Sequence, residues 1–322
     1  MKGAGLTMRG VFAHVCAAVL LTTAQADQPA IPRIGVLAAP LPYEQGLRDG
    51  LATLGYVEGK SIVIDWRRSG GAVDELRSLV TDLANSKPGL VVAFGTPAAL
   101  VALEVATMPI VFLSSDPVAS GLVTNLARPG GNATGVSATG VELTGKRLQL
   151  LLEFAPRARR IGCLVNTSNP IGALQLEQAR KAARSFNVEL VKFDAHNDAQ
   201  VDDAVRMILR SALDGLIVTG DNLMFANSVK VARAIRKTGL PAIYPTRETQ
   251  GDNGLVSYGP SLKEAGRMSA IYIDKILRGA KPGDLPIEQV SKLELVIDLR
   301  VARAQGIKVP EELLYRADEV IR

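Results

Sequence analysis

Cysteine and histidine are nearly absent from this chain: two of each stand in 322 residues, and Cys16 and His14 both fall within the first 26. The remainder carries Cys163 and His196 alone. It therefore has no second thiol for an internal disulfide, and neither a zinc site nor a Ser–His or Cys–His catalytic pair is easily assembled. Cys163, inside the apolar run IGCLV, reads as a small buried hydrophobe, and His196, in DAHND, as a surface loop residue. Aromatics are scarce too, at 4%, and the basic residues are scattered apart from Arg157-Ala158-Arg159-Arg160. A net charge of +5 so dispersed leaves no nucleic-acid footprint. No GxGxxG follows the first strand, where Ala38-Ala39-Pro40 fill the turn, so a dinucleotide site is not expected. GxxxxGK[ST] and GxSxG are missing as well. These absences argue for binding rather than catalysis, with no cofactor and no metal.

What is present begins with an export signal. Lys2 and Arg9 give a positive start, Val11 to Thr23 a short apolar stretch, and Ala24-Gln25-Ala26 a small-residue cleavage site. The apolar stretch is shorter than the roughly 18–20 residues that span a bilayer. Residues 1–26 are thus expected to be removed and the product to work in the periplasm, with an uncleaved anchor as the alternative. Cys16 lies inside the apolar stretch, which argues against a lipoprotein.

After Pro32, short aliphatic runs alternate with helical patterns: 33–38, 61–67, 90–94 and 109–113, each of the first three followed by a helix. Such runs read as parallel strands buried on both faces. The segment 126–140, rich in Gly, Ser, Thr and Pro, interrupts the rhythm. A second set follows at 159–165, 188–193, 214–220 and 241–245, with 254–259, a helix over 261–278 and a last strand at 293–298 as a tail. The expectation is α/β: two Rossmann-like, doubly wound lobes joined by a multi-segment hinge. The first lobe takes 27–140 plus about 255–290, the second 141–254 plus about 291–322.

In open α/β sheets ligands lie beyond the carboxyl ends of the strands. Those ends offer Thr96 after Gly95, where a helix start with Pro97 suits a carboxylate, and the turn Ser115-Asp116-Pro117. The second set offers Asn166, Thr167 and Ser168, then Asp221, then Thr246. Each is equally readable as a helix or turn cap. Tyr43, after the first strand, is a candidate apolar wall; Trp66 and Tyr258 read as structural.

The phrases GTPAA (95–99), DPVASGLV (116–123) and ARPGGN (127–132), with the closing run Tyr315-Arg316-Ala317-Asp318-Glu319-Val320, resemble the ABC transporter substrate-binding family associated with tryptophan or tyrosine uptake. The resemblance runs through essentially all of the chain after the signal. It implies a type I periplasmic binding-protein fold and no catalysis. It also implies a small-molecule ligand, with an amino acid as the candidate, held by loops that correspond to Thr96, Ser115-Asp116, Asn166 to Asn169, Asp221 and Thr246. The implied partners are an inner-membrane permease and its ATPase, with the binding protein itself a monomer. A periplasmic sensor for a membrane receptor and an exported two-lobed enzyme are the alternatives.

Overall fold

The computed structural model describes residues 31–37, 41–69 and 73–322. The export signal and the turn at 38–40 lie outside the described residues. The first sheet is built from β1 (Arg33–Leu37), β2 (Val63–Arg67), β3 (Leu90–Phe94), β4 (Ile110–Ser114) and β5 (Ala133–Ser137), interleaved with α1 (Leu41–Thr53), α2 (Val73–Asn85) and α3 (Thr96–Val105). The second half follows as α4 (Leu143–Phe154), β6 (Arg160–Val165), α5 (Pro170–Ser185), β7 (Glu189–Asp194), α6 (Asp198–Arg210) and β8 (Gly215–Val218). It continues with α7 (Asn222–Ala226), α8 (Ser228–Arg236), β9 (Ala242–Tyr244), α9 (Arg247–Gln250) and β10 (Val256–Pro260). The tail comprises α10 (Leu262–Leu277), β11 (Glu288–Gln289), β12 (Leu293–Asp298), α11 (Leu299–Gln305), α12 (Glu311–Arg316) and β13 (Glu319–Ile321).

The first sheet runs β11-β5-β4-β3-β1-β2 and the second β13-β12-β10-β9-β8-β6-β7. All pairings are parallel except β10 with β12. Within each sheet the first five strands of the set follow the same doubly wound order, reversing between the first and third strand. The two halves are thus alike in topology. Fully buried aliphatics such as Leu90, Val91 and Val92 sit on both faces of β3, as expected for a strand covered by helices on each side.

The chain passes between the sheets after β5, after β10 and after β11. In the first passage Thr139 stands at φ 49°, an unusual setting for a β-branched residue. The second places the boundary later than the sequence suggests. β10 pairs with β9 and β12 in the second sheet, so the first lobe reclaims the tail at α10 rather than at residue 255. Strand periodicity reports burial and not which sheet a strand joins. α10 then lies against α1, where a Cβ on Gly46 would come within 1.9 Å of the Lys263 carbonyl and one on Gly266 within 2.3 Å of the Tyr43 carbonyl. The backbones meet there with no room for side chains.

Three further details differ from the sequence reading. Residues 133–137 form a strand inside the segment taken as an interruption. A short helix, α7, separated from α8 at Asn227, fills the strand end after β8. A last short strand, β13, follows β12.

Candidate functional site

The carboxyl ends of the strands in both sheets converge on one cleft, about 550 Å³ in extent including its mouth. On the first lobe, β3 ends in Gly95, whose φ of 89° turns the chain into α3 so that the head of that helix lines the cleft. Thr96 lines the cleft but is not free: its Oγ1 lies 2.7 Å from Ser114 Oγ, a pair of buried hydroxyls joining α3 to the end of β4. Ser115 and Gly140 complete this side.

On the second lobe Asp221 lines the cleft at the head of α7. Its carboxylate accepts hydrogen bonds from Asn169 Nδ2 (2.6 Å), Asn166 Nδ2 (3.3 Å) and the Leu223 amide (2.8 Å). Burial outweighs these bonds and pushes the Asp221 carboxyl above its ordinary range. Asn169 caps α5 through the Ile171 amide while its other end holds Asp221. Gln175 clamps Gly220 from both sides, accepting from its amide at 3.1 Å and donating to its carbonyl at 3.3 Å. Thr246, also in the cleft, heads α9 in a reciprocal cap with Thr249.

Arg147 is the residue that strand-end reasoning missed. It projects from α4 and is 1% exposed, yet lines the cleft. Its Nε donates to the Tyr258 carbonyl (2.8 Å), Nη1 to Gly140 (3.2 Å) and Nη2 to Pro245 (3.3 Å). Three of its five N–H groups are thereby used. Desolvation lowers its pKa to about 10, which leaves it charged at neutral pH. Among the described residues, no carboxylate pairs with Arg147 and no cation pairs with Asp221. A signal was present in the sequence: Thr144, Arg147, Leu151 and Phe154 share the buried face of one helix.

The other sequence candidates fall into two groups. Asn166, Thr167 and Ser168 stand behind the cleft: Asn166 supports Asp221, Ser168 Oγ donates to Asn166 Oδ1, and Thr167 donates to Asp194 from both its amide and hydroxyl. Asp116 and Tyr43 do not reach it. The Asp116 carboxylate accepts from the Ala119 amide and caps its own turn. Tyr43 is fully buried in the first lobe, its hydroxyl 2.7 Å from Ser269 Oγ and its ring edge-on to Phe94. Cys163 is buried, its thiol pushed up to about 12, and His196 is exposed beside Asp194.

The lobes touch across the cleft. Asn222 Nδ2 donates to the Phe94 carbonyl at 3.1 Å, and Phe225 meets the Phe94 ring edge-on at 5.8 Å between centroids.

Residues 39–321 match the family model described as ABC transporter substrate binding protein. A curated protein of Clostridioides difficile (strain R20291), named tyrosine-binding protein, is 26% identical over 281 residues, covering 86% of this chain and 81% of that one. A conserved domain protein from Vibrio cholerae superposes with a TM-score of 0.84 at 26% identity, over 90% of this chain and 99% of that one. An ABC domain from Streptococcus pneumonia in complex with L-Trp gives 0.82 at 26% identity, with the same coverage.

Proposed function

The chain belongs to the ABC transporter substrate-binding protein family and has the type I periplasmic binding fold, and from that premise we propose that it captures a zwitterionic amino acid. Capture occurs in the cleft by closure of the lobes, and the closed protein delivers its ligand, unchanged, to a periplasm-facing permease driven by an ATPase. One observation carries this reading. A buried cation and a buried carboxylate line the same cavity, and neither is neutralised by a protein group among the described residues. Burying a charge unpaired is costly, so such a cavity favours a ligand that brings both opposite charges. The ligand carboxylate goes to Arg147, near the start of α3 where Gly95 and Thr96 favour an anion, and the ammonium to Asp221. Ser115 and Thr246 supply hydroxyls. Asn166 and Asn169 hold the carboxylate of Asp221 from behind, and Ser168 steadies Asn166. The amino acids named for the two relatives agree with this ligand class.

Closure follows from the same geometry. Arg147 and Thr246 come from one lobe, Thr96 and Ser115 from the other, so only the closed form offers every contact, and the ligand shifts the hinge equilibrium towards it. The test is a thermal-shift screen of amino acids and small carboxylates on protein unfolded and refolded to strip carried ligand. An amino acid at ~100 times its dissociation constant adds about 2.7 kcal/mol of stability. Stabilisation by amino acids that are recovered intact supports the proposal; stabilisation by simple carboxylates alone, or turnover of the ligand, contradicts it.

A further inference from the structure

Phe94 and Phe225 give the cleft an apolar wall, with Tyr43 packed behind Phe94 outside the cleft. Tyr43, Phe94 and Phe225 form a row of edge-to-face contacts, with centroids 5.2 Å and then 5.8 Å apart. Tyr43 and Phe94 belong to the first lobe, but Phe225 comes from α7 of the second and packs against the first lobe's hydrophobic core. Beside it, Asn222 fills the space over Gly95, with its Oδ1 only 2.3 Å from where a Cβ on that glycine would lie. The room left inside the closed cleft is about 60 Å³. An engineered apolar cavity of roughly 150 Å³ is what takes up a benzene ring. The cleft that Arg147 and Asp221 line therefore has room for the common core of an amino acid and little more.

We infer that Phe225 is the specificity-determining residue of the cleft, occupying the compartment a large ligand side chain would need, and that the ligand is one of the smallest α-amino acids. This rests on the reading of the cleft as a zwitterion site. An aromatic ligand would have to displace Phe225 from Phe94 and forfeit the edge-to-face contact together with part of the lobe closure. A small amino acid leaves the aromatic row intact, and closure then buries Phe225 against the first lobe as part of the binding event.

Calorimetry with glycine, L-alanine, L-serine, L-tyrosine and L-tryptophan tests this on the refolded protein and on Phe225→Ala, with Phe225→Leu as a milder truncation. Circular dichroism and a cooperative melt establish that each variant is folded. The native protein is expected to bind at least one of the three small amino acids ten-fold or more tighter than either aromatic one. Phe225→Ala should narrow or reverse that ratio by at least ten-fold, and Phe225→Leu should move it in the same direction by less. Native protein that prefers tyrosine or tryptophan overturns the inference and leaves the zwitterion reading standing. An unchanged ratio in both folded variants removes Phe225 as the determinant. Silence of all five amino acids on every protein overturns both readings at once.

Discussion

The side-chain amide of Asn222 donates to the main-chain carbonyl of Phe94 at 3.1 Å, tying the head of α7 in one lobe to the end of β3 in the other. One such bond contributes about 0.5–1.5 kcal/mol, so Asn222→Ala should weaken ligand binding roughly 2- to 12-fold by disfavouring closure. Gly95→Ala should do more. Its methyl group meets Asn222 Oδ1 at 2.3 Å, and φ of 89° strains any side chain there, so affinity should fall more than ten-fold. Because the clash is with Asn222 itself, the double variant Gly95→Ala/Asn222→Ala should bind more tightly than Gly95→Ala alone. Calorimetry on the four proteins checks the pattern, and strict additivity would exclude the contact as a latch.

Arg147 links three main-chain carbonyls, one from the passage after β5 and two from the second lobe beside the passage after β10. Arg147→Met leaves those carbonyls without donors at a cost on the order of 3 kcal/mol. It should lower the ligand-free melting temperature and reduce affinity for a carboxylate ligand by about ten- to a hundred-fold. Arg147→Lys keeps the charge but not the planar fork. It should recover part of the affinity and less of the stability, a split read from paired denaturation and calorimetry.

Asp221 sets the pH dependence. Its buried carboxyl titrates above its ordinary value of 3.8 when the cleft is empty. Pairing with an ammonium group requires the ionised form and pulls that pKa down, so the ligand-bound state holds fewer protons. Affinity should therefore weaken as pH falls, starting above pH 3.8 and approaching ten-fold per pH unit. The ligand-free protein behaves oppositely at this residue: a raised folded-state pKa gives stability that is present at low pH and lost as pH rises through it. Binding isotherms from pH 7 to pH 4 check the first sign, and Asp221→Asn should flatten the profile.

Tyr43 belongs to the packing beneath the cleft. Tyr43→Phe removes the hydroxyl bond to Ser269 and should cost about 1 kcal/mol of stability, leaving affinity within two-fold. A large loss of affinity with unchanged stability would return Tyr43 to the site.

The parallel strands were legible because runs such as LVVAF are apolar throughout, rich in β-branched residues, only five residues long and bounded by Pro88-Gly89 and Gly95. β5 was not, since ATGVS lacks large aliphatics. Its place beside β4 demands small residues: a Cβ on Gly135 would stand 2.0 Å from the Phe112 carbonyl. Polar strand ends pointed to Thr96, Ser115, Asp221 and Thr246, which the cleft brings together. At Asp116 the same signal meets a carboxylate before proline that serves its own turn, accepting from the Ala119 amide outside the cleft lining. Arg147 and Phe225 were missed for one shared reason. They enter the cleft from helices, and only the path of the chain between the sheets brings those helices to the strand ends.

The most direct test of the zwitterion reading is calorimetry of the bound amino acid against its own amide and its N-acetyl derivative. The amide keeps the ammonium and loses the carboxylate charge; the acetylated form does the reverse. Because each charge meets a buried partner of opposite sign, Arg147 or Asp221, both derivatives should bind at least a hundred-fold more weakly than the parent. Binding of either derivative within a few-fold of the parent would contradict the pairing of ligand charges with these two residues.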